Sequence, residues 1–323
     1  MATERSEHDV DADGAPRVAD VPVNRLTEAL PRAADPPVEA LPSSEDDVTD
    51  PLDRPRERSP EVPGGPPPER LAPAIPSARF GDLRRIGEGG FGVVYLARDL
   101  VTGEEVAVKT IPVGRAELIY RLKKEFRALA DLRHTNLIRF YELFADKDSV
   151  FFTMEYVPGT SFLGHVRPGG VLDGRRLRAA LSQLAQGLSA LHASGKLHRD
   201  VKPSNVRVTP DDRVVLLDFG LAKELDDKGG LGNSIELAGT PEYMAPEQAL
   251  GETVSAACDW YSVGVMLYQA LTGVVPFKGT WREIIAQHRG VPVPPSVLVP
   301  GTPADLSDLC MFLLARAPQA RAG

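Results

Sequence analysis

The sequence predicts an α+β protein with two lobes, a small antiparallel sheet with one helix and a larger helical part, preceded by a disordered tail. Three observations lead to this fold class. Residues 1–78 contain no Phe, Trp or Tyr. The residues from Arg79 to about Tyr156 alternate in short apolar runs, which indicate strands, and after Pro158 long apolar runs with helical periodicity dominate.

Residues 1–78 form the predicted tail, and residues 79–323 form the predicted folded domain. The tail holds 15 of the 29 prolines, no lysine, and 17 acidic residues against 8 arginines, which gives a net charge of −9. Such a segment cannot bury enough apolar surface to offset its ordering entropy, so we expect it to be disordered. It is either a solvated acidic segment without a specific partner or a docking and regulatory segment.

The charge and hydropathy of the chain exclude some classes of partner. The whole chain carries −8, which leaves residues 79–323 near +1 and without a basic stripe, so no nucleic acid is expected as a partner. No run of about 18 apolar residues and no signal peptide is present, so we expect a cytoplasmic protein without a membrane partner. Cys258 and Cys310 fall in apolar, helix-like stretches and are expected to be reduced core residues.

Five short apolar runs predict the strands of the first lobe: "FGDLRRIG", "VVYLARDL", "EVAVKTIPV", "LIRFYELFAD" and "VFFTMEYV". Between them, residues 116–132 carry apolar side chains three or four positions apart, which predicts one helix. The second lobe is predicted from three longer runs, "RRLRAALSQLAQGLSALHASG", "CDWYSVGVMLYQALTG" and "PADLSDLCMFLLARAP". A ligand site is expected where the two lobes meet, near Met154 to Thr160.

The stretch "IGEGGFGVVYLA", residues 86–97, contains glycines at G-x-G-x-x-G spacing. The pattern alone is a weak signal, because both dinucleotide and triphosphate sites use it. In a dinucleotide fold the last glycine opens a helix. Here Val93, Val94 and Tyr95 follow it, so a strand, a glycine turn and a second strand are predicted, which is the arrangement of a flap over phosphates.

Lys109 stands in the predicted strand "EEVAVKT", seventeen residues after Gly92. Its side chain either points to solvent, as isolated strand lysines commonly do, or reaches into the cleft as a phosphate ligand. Glu125, in the middle of the predicted helix, is either an ion-pair partner that fixes the lysine or a plain surface glutamate.

The segment "LHRDVKPSNVRV", followed by "VVLLDFGLAKEL", brings two aspartates and an asparagine close together in sequence. Oxygen ligands of this kind suit Mg²⁺, which binds through one or two carboxylates and substrate phosphates. Asp200 is suited to orient an incoming hydroxyl, while Lys202 neutralises a phosphoryl oxygen. The two motifs in this order, behind a glycine flap and a V-A-V-K strand, form a signature set that chance rarely produces.

From about Phe80 to its end, the chain therefore resembles the eukaryotic-type serine/threonine protein kinases, in their bacterial form. The resemblance implies a kinase domain at 79–323 that uses ATP and Mg²⁺. It implies that Asp200, Lys202, Lys109, Glu125 and Thr240 are catalytic and that Asn205 and Asp218 bind the metal. It also implies a nucleotide pocket made of Ile86, Gly87, Gly89, Gly92, Val94, Ala107, Lys109, Met154, Glu155 and Val157, with Phe91 at the tip of the flap.

An activation segment is implied between Asp218 and Glu247. Because Arg199 precedes Asp200, the resemblance suggests a loop that is ordered by a phosphate paired with that arginine. Ser234 is either the hydroxyl that carries this phosphate or a merely solvated serine. Thr240 resembles the threonine that bonds the catalytic Asp and Lys. Glu247 with Arg321, and Asp259, resemble scaffold residues of the family rather than chemical ones.

The implied function is transfer of the γ-phosphoryl group of ATP to Ser or Thr hydroxyls of proteins, including the chain itself through self-association. A catalytically weak nucleotide-binding scaffold is the alternative, and the intact Lys109, Asp200, Asn205 and Asp218 argue against it. A small-molecule kinase would lack the "GTPEYMAPE" segment. The chain departs from the family after Arg321, where one more helix is usual, and Ala317 replaces an aspartate. We therefore expect either a fragment of a longer protein or an abbreviated second lobe.

Overall fold

The structure is a computed structural model, and it describes residues 75–89, 92–111, 116–145, 150–219 and 240–321. These residues divide into two units. The N-terminal unit, as described, runs from Ile75 to Thr240, and the C-terminal unit runs from Pro241 to Arg321. Residues 1–74 of the predicted tail, Phe91 and Ser234 lie outside the described residues, whereas residues 75–78 are described and Ile75 packs against a buried apolar cluster.

The structure describes eight strands, all in the N-terminal unit. They are β1 (Phe80–Gly89), β2 (Gly92–Asp99), β3 (Glu105–Ile111), β4 (Phe140–Ala145), β5 (Val150–Glu155), β6 (Thr160–Ser161), β7 (Val206–Val208) and β8 (Val214–Leu216). The first five form one antiparallel sheet in the order β1-β2-β3-β5-β4, and the last three form a second sheet in the order β6-β7-β8. The five predicted strand runs are thus confirmed.

The helices are α1 (Ala116–Ala130), α2 (Phe162–Val166) and α3 (Gly174–Ala193) in the N-terminal unit, and α4 (Pro246–Ala249), α5 (Ala256–Thr272), α6 (Trp281–Gln287), α7 (Pro295–Leu298) and α8 (Ala304–Leu313) in the C-terminal unit. The predicted helix at 116–132 ends two residues early. The α+β class, with an antiparallel sheet followed by helices, is confirmed.

Two faces of the five-stranded sheet are packed differently. On one face Phe80, Val108 and Phe151 belong to a cluster of buried apolar residues. On the other face α1 packs through Phe126, whose ring lies 5.8 Å from Phe140 and 5.9 Å from Phe152. Because side chains alternate along a strand, Lys109 lies on the same face as its cross-strand neighbour Phe152. The sheet therefore presents Lys109 on the side that carries α1.

The C-terminal unit contains a buried ion pair. Arg321 donates to both carboxylate oxygens of Glu247 at 2.8 Å, and the two side chains are 0% and 3% exposed. Arg321 also donates to the carbonyl oxygens of Ala257 and Arg316 and lies over the ring of Tyr261. The scaffold pair predicted from the sequence is therefore present.

Three other residues of the C-terminal unit bear on predictions made from the sequence. Asp259 is fully buried in the first turn of α5. Cys258 and Cys310 are buried and not joined by a disulfide, as predicted for core cysteines.

Candidate active site

Asp200, Lys202 and Asn205 come together in the loop between α3 and β7. The Lys202 ammonium lies 3.0 Å from Asp200 Oδ2, and the Asn205 side-chain amide donates to the same oxygen at 3.0 Å. Asn205 also donates to the Asp200 backbone carbonyl at 2.9 Å. The carboxylate is thus held in one orientation by two neighbours in the chain, while the Asp200 side chain stays partly open to solvent.

His198 connects this loop to the end of β8. Its ring is buried, and its Nδ1 accepts a hydrogen bond from the Asp200 backbone N–H at 3.2 Å. That bond leaves the proton on Nε2, which donates to the Leu217 carbonyl at 2.8 Å. The Leu217 N–H in turn donates to the Asn205 carbonyl. These bonds place Asp218, the residue after Leu217, beside the loop that carries Asn205.

Two residues next to the His198–Leu217 contact have unusual backbone angles. Arg199 has φ 63° and Asp218 has φ 54°, a left-handed region that costs a non-glycine residue about 1–3 kcal/mol unless its surroundings impose it. His198 and Leu217 each precede one of these residues. The hydrogen bond between them therefore supports both turns, and strain of this kind commonly marks functional sites.

Phe219 anchors the residue before it, Asp218. Its buried ring meets Phe140 edge-on at 5.5 Å and lies 6.2 Å from the His198 ring. Phe140 belongs to β4 and packs on α1 through Phe126. Asp218 is therefore positioned by apolar contacts to the sheet and the helix as well as by the loop.

Lys109 reaches into the site rather than out to solvent. Its ammonium donates to Asp218 Oδ1 at 2.6 Å, and its side chain is 13% exposed. Its side chain thus pairs with Asp218 instead of pointing to solvent, and its role as a phosphate ligand stays a prediction.

Glu125 has a different partner from the one the sequence suggested. Its carboxylate accepts from the Lys196 ammonium at 2.5 Å, and its side chain is 20% exposed. Among the described residues, Lys109 pairs with Asp218, so the expected Lys109–Glu125 pair is not formed in this structure. The physical reason is a competing cation, because Lys196 directly precedes the "LHRD" segment and lies within reach of α1. Helical periodicity cannot reveal which of two lysines a glutamate meets.

The predicted nucleotide-pocket residues share one face of the sheet. Val94 stands opposite both Gly87 and Lys109, and Met154 stands opposite Ala107. Since Ala107 and Lys109 are two residues apart on β3, these side chains all point to the same side. Ala107 and Met154 are buried, which makes this face apolar beside the lysine.

The rest of the predicted pocket lies at the two ends of this face. Gly89 pairs with Gly92 where the β1–β2 hairpin closes, and Gly92 has φ 124°, which favours glycine. Ile86 is 43% exposed on β1. Glu155 ends β5, and Val157 follows it as a buried residue. The predicted strand, turn and strand are present, although residues 90 and 91 lie outside the described part.

Thr240 is at the edge of the described residues. Within the part of the chain that the structure describes, it makes no hydrogen bond to Asp200 or Lys202. Its predicted bond to these residues stays a prediction, as does the role of Ser234.

Two residues that organise the site do not follow from the sequence pattern. His198 forms part of a motif without a predicted role, and Lys196 lies outside the motifs. A lysine directly before the "LHRD" motif was the available signal for a competing partner of Glu125.

The model of the protein kinase domain family matches residues 80–323, so the chain belongs to this family. Similar curated proteins include the serine/threonine-protein kinases Pkn1 and pkn2 of Myxococcus xanthus. They are 36% and 38% identical over 74% and 68% of this chain, and the matches cover 36% and 28% of those proteins. The serine/threonine-protein kinase PknB of Mycobacterium tuberculosis is 34% identical over 73% of this chain and 39% of its own length. The chain thus matches well under half the length of these relatives.

Two searches of the described residues gave negative results. No described helix combines the length and the apolar character that a membrane crossing needs. Within the same residues, no three His, Cys, Asp or Glu side chains gather as ligands of a metal ion would.

Proposed function

We propose that this protein transfers the γ-phosphoryl group of ATP to Ser or Thr hydroxyls of protein substrates. The observation that carries the proposal is that Lys202 and Asn205 both contact the Asp200 carboxylate, close to the Lys109–Asp218 pair. Membership of the protein kinase family and the names of the similar proteins support it.

Asp200 has the geometry of a residue that receives the acceptor hydroxyl. One of its oxygens, Oδ2, is occupied by Lys202 and Asn205, and this holds the carboxylate in place. A carboxylate fixed in this way aligns the hydroxyl for in-line attack and takes its proton as the new P–O bond forms and the bond to the leaving phosphate breaks. Lys202, 3.0 Å away, adds positive charge where a phosphoryl oxygen would develop negative charge.

Asn205 and Asp218 are the residues that would hold Mg²⁺. The Asn205 amide nitrogen is committed to Asp200, which leaves its oxygen as the available ligand atom. With the Asp218 carboxylate this makes a pair of oxygen donors, and Mg²⁺ commonly takes one or two protein ligands together with phosphates. The donor set therefore fits this ion, which when bound would neutralise charge on the phosphates.

Lys109 and the face of β2, β3 and β5 would bind the nucleotide. The apolar side chains of Val94, Ala107 and Met154 offer a surface for the adenine ring, and Lys109 offers a cation for the phosphates. In this structure the Lys109 ammonium donates to the Asp218 carboxylate. Nucleotide phosphates would compete for this ammonium, because they carry more negative charge than one carboxylate.

Protein substrates, self-association for phosphorylation of one copy by another, and a cytoplasmic location are parts of the same proposal and rest on the sequence. The two alternatives are less well supported. A scaffold without turnover does not require Asp200 to be held by two partners, and the "GTPEYMAPE" segment argues against a small-molecule acceptor.

Incubation of the full chain with ATP and Mg²⁺, followed by intact-mass measurement and peptide mapping, tests the proposal. We expect phosphate on Ser or Thr of the native chain and labelling of Asp200→Asn that is at least about 100-fold slower. The same reaction with added chelator should give no phosphate. Labelling of Asp200→Asn at the native rate would refute the proposal. Absence of phosphate from both the native chain and an added Ser/Thr protein substrate would refute it as well.

A further inference from the structure

Glu155 and Arg213 form an ion pair that joins two distant parts of the proposed nucleotide site. Glu155 ends β5 and belongs to the segment expected to bond the adenine through its backbone. Arg213 directly precedes β8, and its guanidinium binds a carboxylate oxygen of Glu155. Both side chains are partly buried. Neither the family motifs nor the proposed chemistry explains this contact.

Arg213 extends from a turn that several hydrogen bonds hold. The Thr209 N–H donates to the Arg213 carbonyl at 2.9 Å, and the Arg213 N–H donates to the Thr209 hydroxyl at 3.0 Å. Gln183 on α3 accepts from the N–H of Val214, the next residue, and donates to the carbonyl of Asp212. The base of the Arg213 side chain is therefore fixed to both the hairpin and α3.

The same hairpin carries the proposed metal ligands at its other end. Asn205 immediately precedes β7, and Asp218 follows β8 by two residues. A hydrogen bond from the Leu217 N–H to the Asn205 carbonyl, 2.8 Å long, closes this end. The β7–β8 hairpin therefore has the proposed metal ligands at its open end and Arg213 at its turn.

A second arginine ties the same segment to the hairpin further along. Arg207, on β7, donates to the Gly159 carbonyl, and Thr160 pairs with Val208. Gly159 has φ 130°, and a Cβ there would lie 2.0 Å from the Val208 carbonyl oxygen, so only glycine allows this approach. Residues 155–160 are therefore attached to the hairpin at both ends.

We propose that Arg213 and Glu155 are positioning residues that set the distance between the adenine-binding segment and the metal-ligand end of the β7–β8 hairpin. The inference rests on the proposed function, because it matters only if ATP spans these two points. A nucleotide that binds both the adenine-binding segment and the metal ligands must match the distance between them. The Glu155–Arg213 pair is one of the two attachments that set this distance, and the contacts of Gly159 and Thr160 with β7 are the other. Neither side chain touches the reacting atoms.

A purely structural role makes a different prediction. Partly exposed ion pairs contribute little to folding, usually below about 1 kcal/mol. If the pair only stabilised the fold, its loss would lower the melting temperature slightly and leave the kinetic constants alone. If the pair positions the nucleotide, its loss should raise KM for ATP and leave kcat near its original value.

The test compares Arg213→Gln, Glu155→Gln and the double variant in the full chain. Steady-state kinetics should give KM for ATP and kcat, and titration with a fluorescent ADP analogue should give Kd. Arg176→Gln is the matched control, since Arg176 makes an exposed ion pair with Asp173 at the start of α3. We expect KM and Kd to rise about threefold to fivefold in each single variant and no further in the double variant. The control should match the native chain.

Unchanged KM and Kd in Arg213→Gln would overturn the inference, and so would effects that multiply in the double variant. Kd separates this failure from failure of the proposed function. A native chain that binds the analogue without transferring phosphate would refute the function, while a shifted Kd in the variants would still support the positioning pair. A native chain that binds no nucleotide would refute both.

Discussion

Two ion pairs of the proposed active site are partly exposed, whereas the Glu247–Arg321 pair of the C-terminal unit is buried. Lys109–Asp218 and Glu125–Lys196 keep between 13% and 36% of each side chain accessible. Glu247–Arg321 keeps at most 3% and adds backbone acceptors around the guanidinium. The two kinds of pair are therefore suited to different tasks.

The difference lies in the free energy of changing partners. Water can solvate a partly exposed charge while it moves from one partner to another, so such a pair is worth little and exchanges easily. A buried charge that loses its partner stays unsolvated, which is strongly unfavourable. Exchangeable pairs belong where a charged substrate must displace a side chain, and a permanent pair belongs in a scaffold.

Breaking the buried pair should have the largest effect on stability. Arg321→Met leaves the Glu247 carboxylate buried without its cation, and we expect a loss of about 3–5 kcal/mol in the free energy of unfolding, measured by urea denaturation. Glu247→Leu combined with Arg321→Met removes both charges and should recover much of this loss. A single variant as stable as the native chain would show that the pair is not buried in solution.

Breaking an exchangeable pair should affect activity instead of stability. Lys109→Met removes the cation expected to meet the phosphates, so kcat/KM should fall about 100-fold or more. The free energy of unfolding should change by less than about 1 kcal/mol. Lys278→Met, at an exposed position, is the matched control. An equal fall in kcat/KM in the two variants would show that Lys109 has no specific role in the site.

Lowering the pH should destabilise the C-terminal unit through His288, which packs against the rings of Tyr261 and Phe277. Burial lowers the pKa of His288 to about 4; Arg321 and Arg316 act in the same direction, and Glu247 opposes them. The unfolded chain therefore binds a proton that the native chain does not, between an ordinary pKa of 6.5 and about 4. Stability from this group is complete above pH 6.5 and is lost as the pH falls through that window.

Replacing this ring should flatten the pH profile. His288→Phe keeps an aromatic ring, and neither ring nitrogen of His288 has a hydrogen-bond partner among the described residues. We expect the variant to lose about 1–3 kcal/mol less than the native chain between pH 7 and pH 4.5, by urea denaturation at each pH. Parallel profiles for the two proteins would contradict the depressed pKa.

The smallest expected effect concerns the choice of partner by Glu125. Lys196→Gln removes the ion pair that competes with a Lys109–Glu125 pair, so phosphate transfer at low ATP should rise about twofold to fivefold. Glu125→Gln should lower the same rate. Initial rates with a peptide substrate distinguish the two directions, and a fall in both variants would mean that Lys196 supports the active arrangement.

The sequence predicts the fold and the loop that carries Asp200 better than it predicts which charged side chains form ion pairs. Alternation and periodicity depend on neighbouring residues, so the five strands and α1 were found nearly within their bounds. Asp200, Lys202 and Asn205 lie within six residues, and their association follows from the local chain. Glu125 lies 71 residues from Lys196 and 58 residues separate Glu155 from Arg213, so their pairing depends on how the elements pack.

The most direct test of the account is the rate of phosphate transfer from labelled ATP to a Ser/Thr peptide by Asp200→Asn, beside Asp308→Asn at an exposed position on α8. The account predicts a fall of about 100-fold to 10,000-fold for Asp200→Asn with unchanged nucleotide affinity. Asp308→Asn should equal the native chain. Transfer by Asp200→Asn at the native rate would contradict the assignment of Asp200 and, with it, the proposed mechanism.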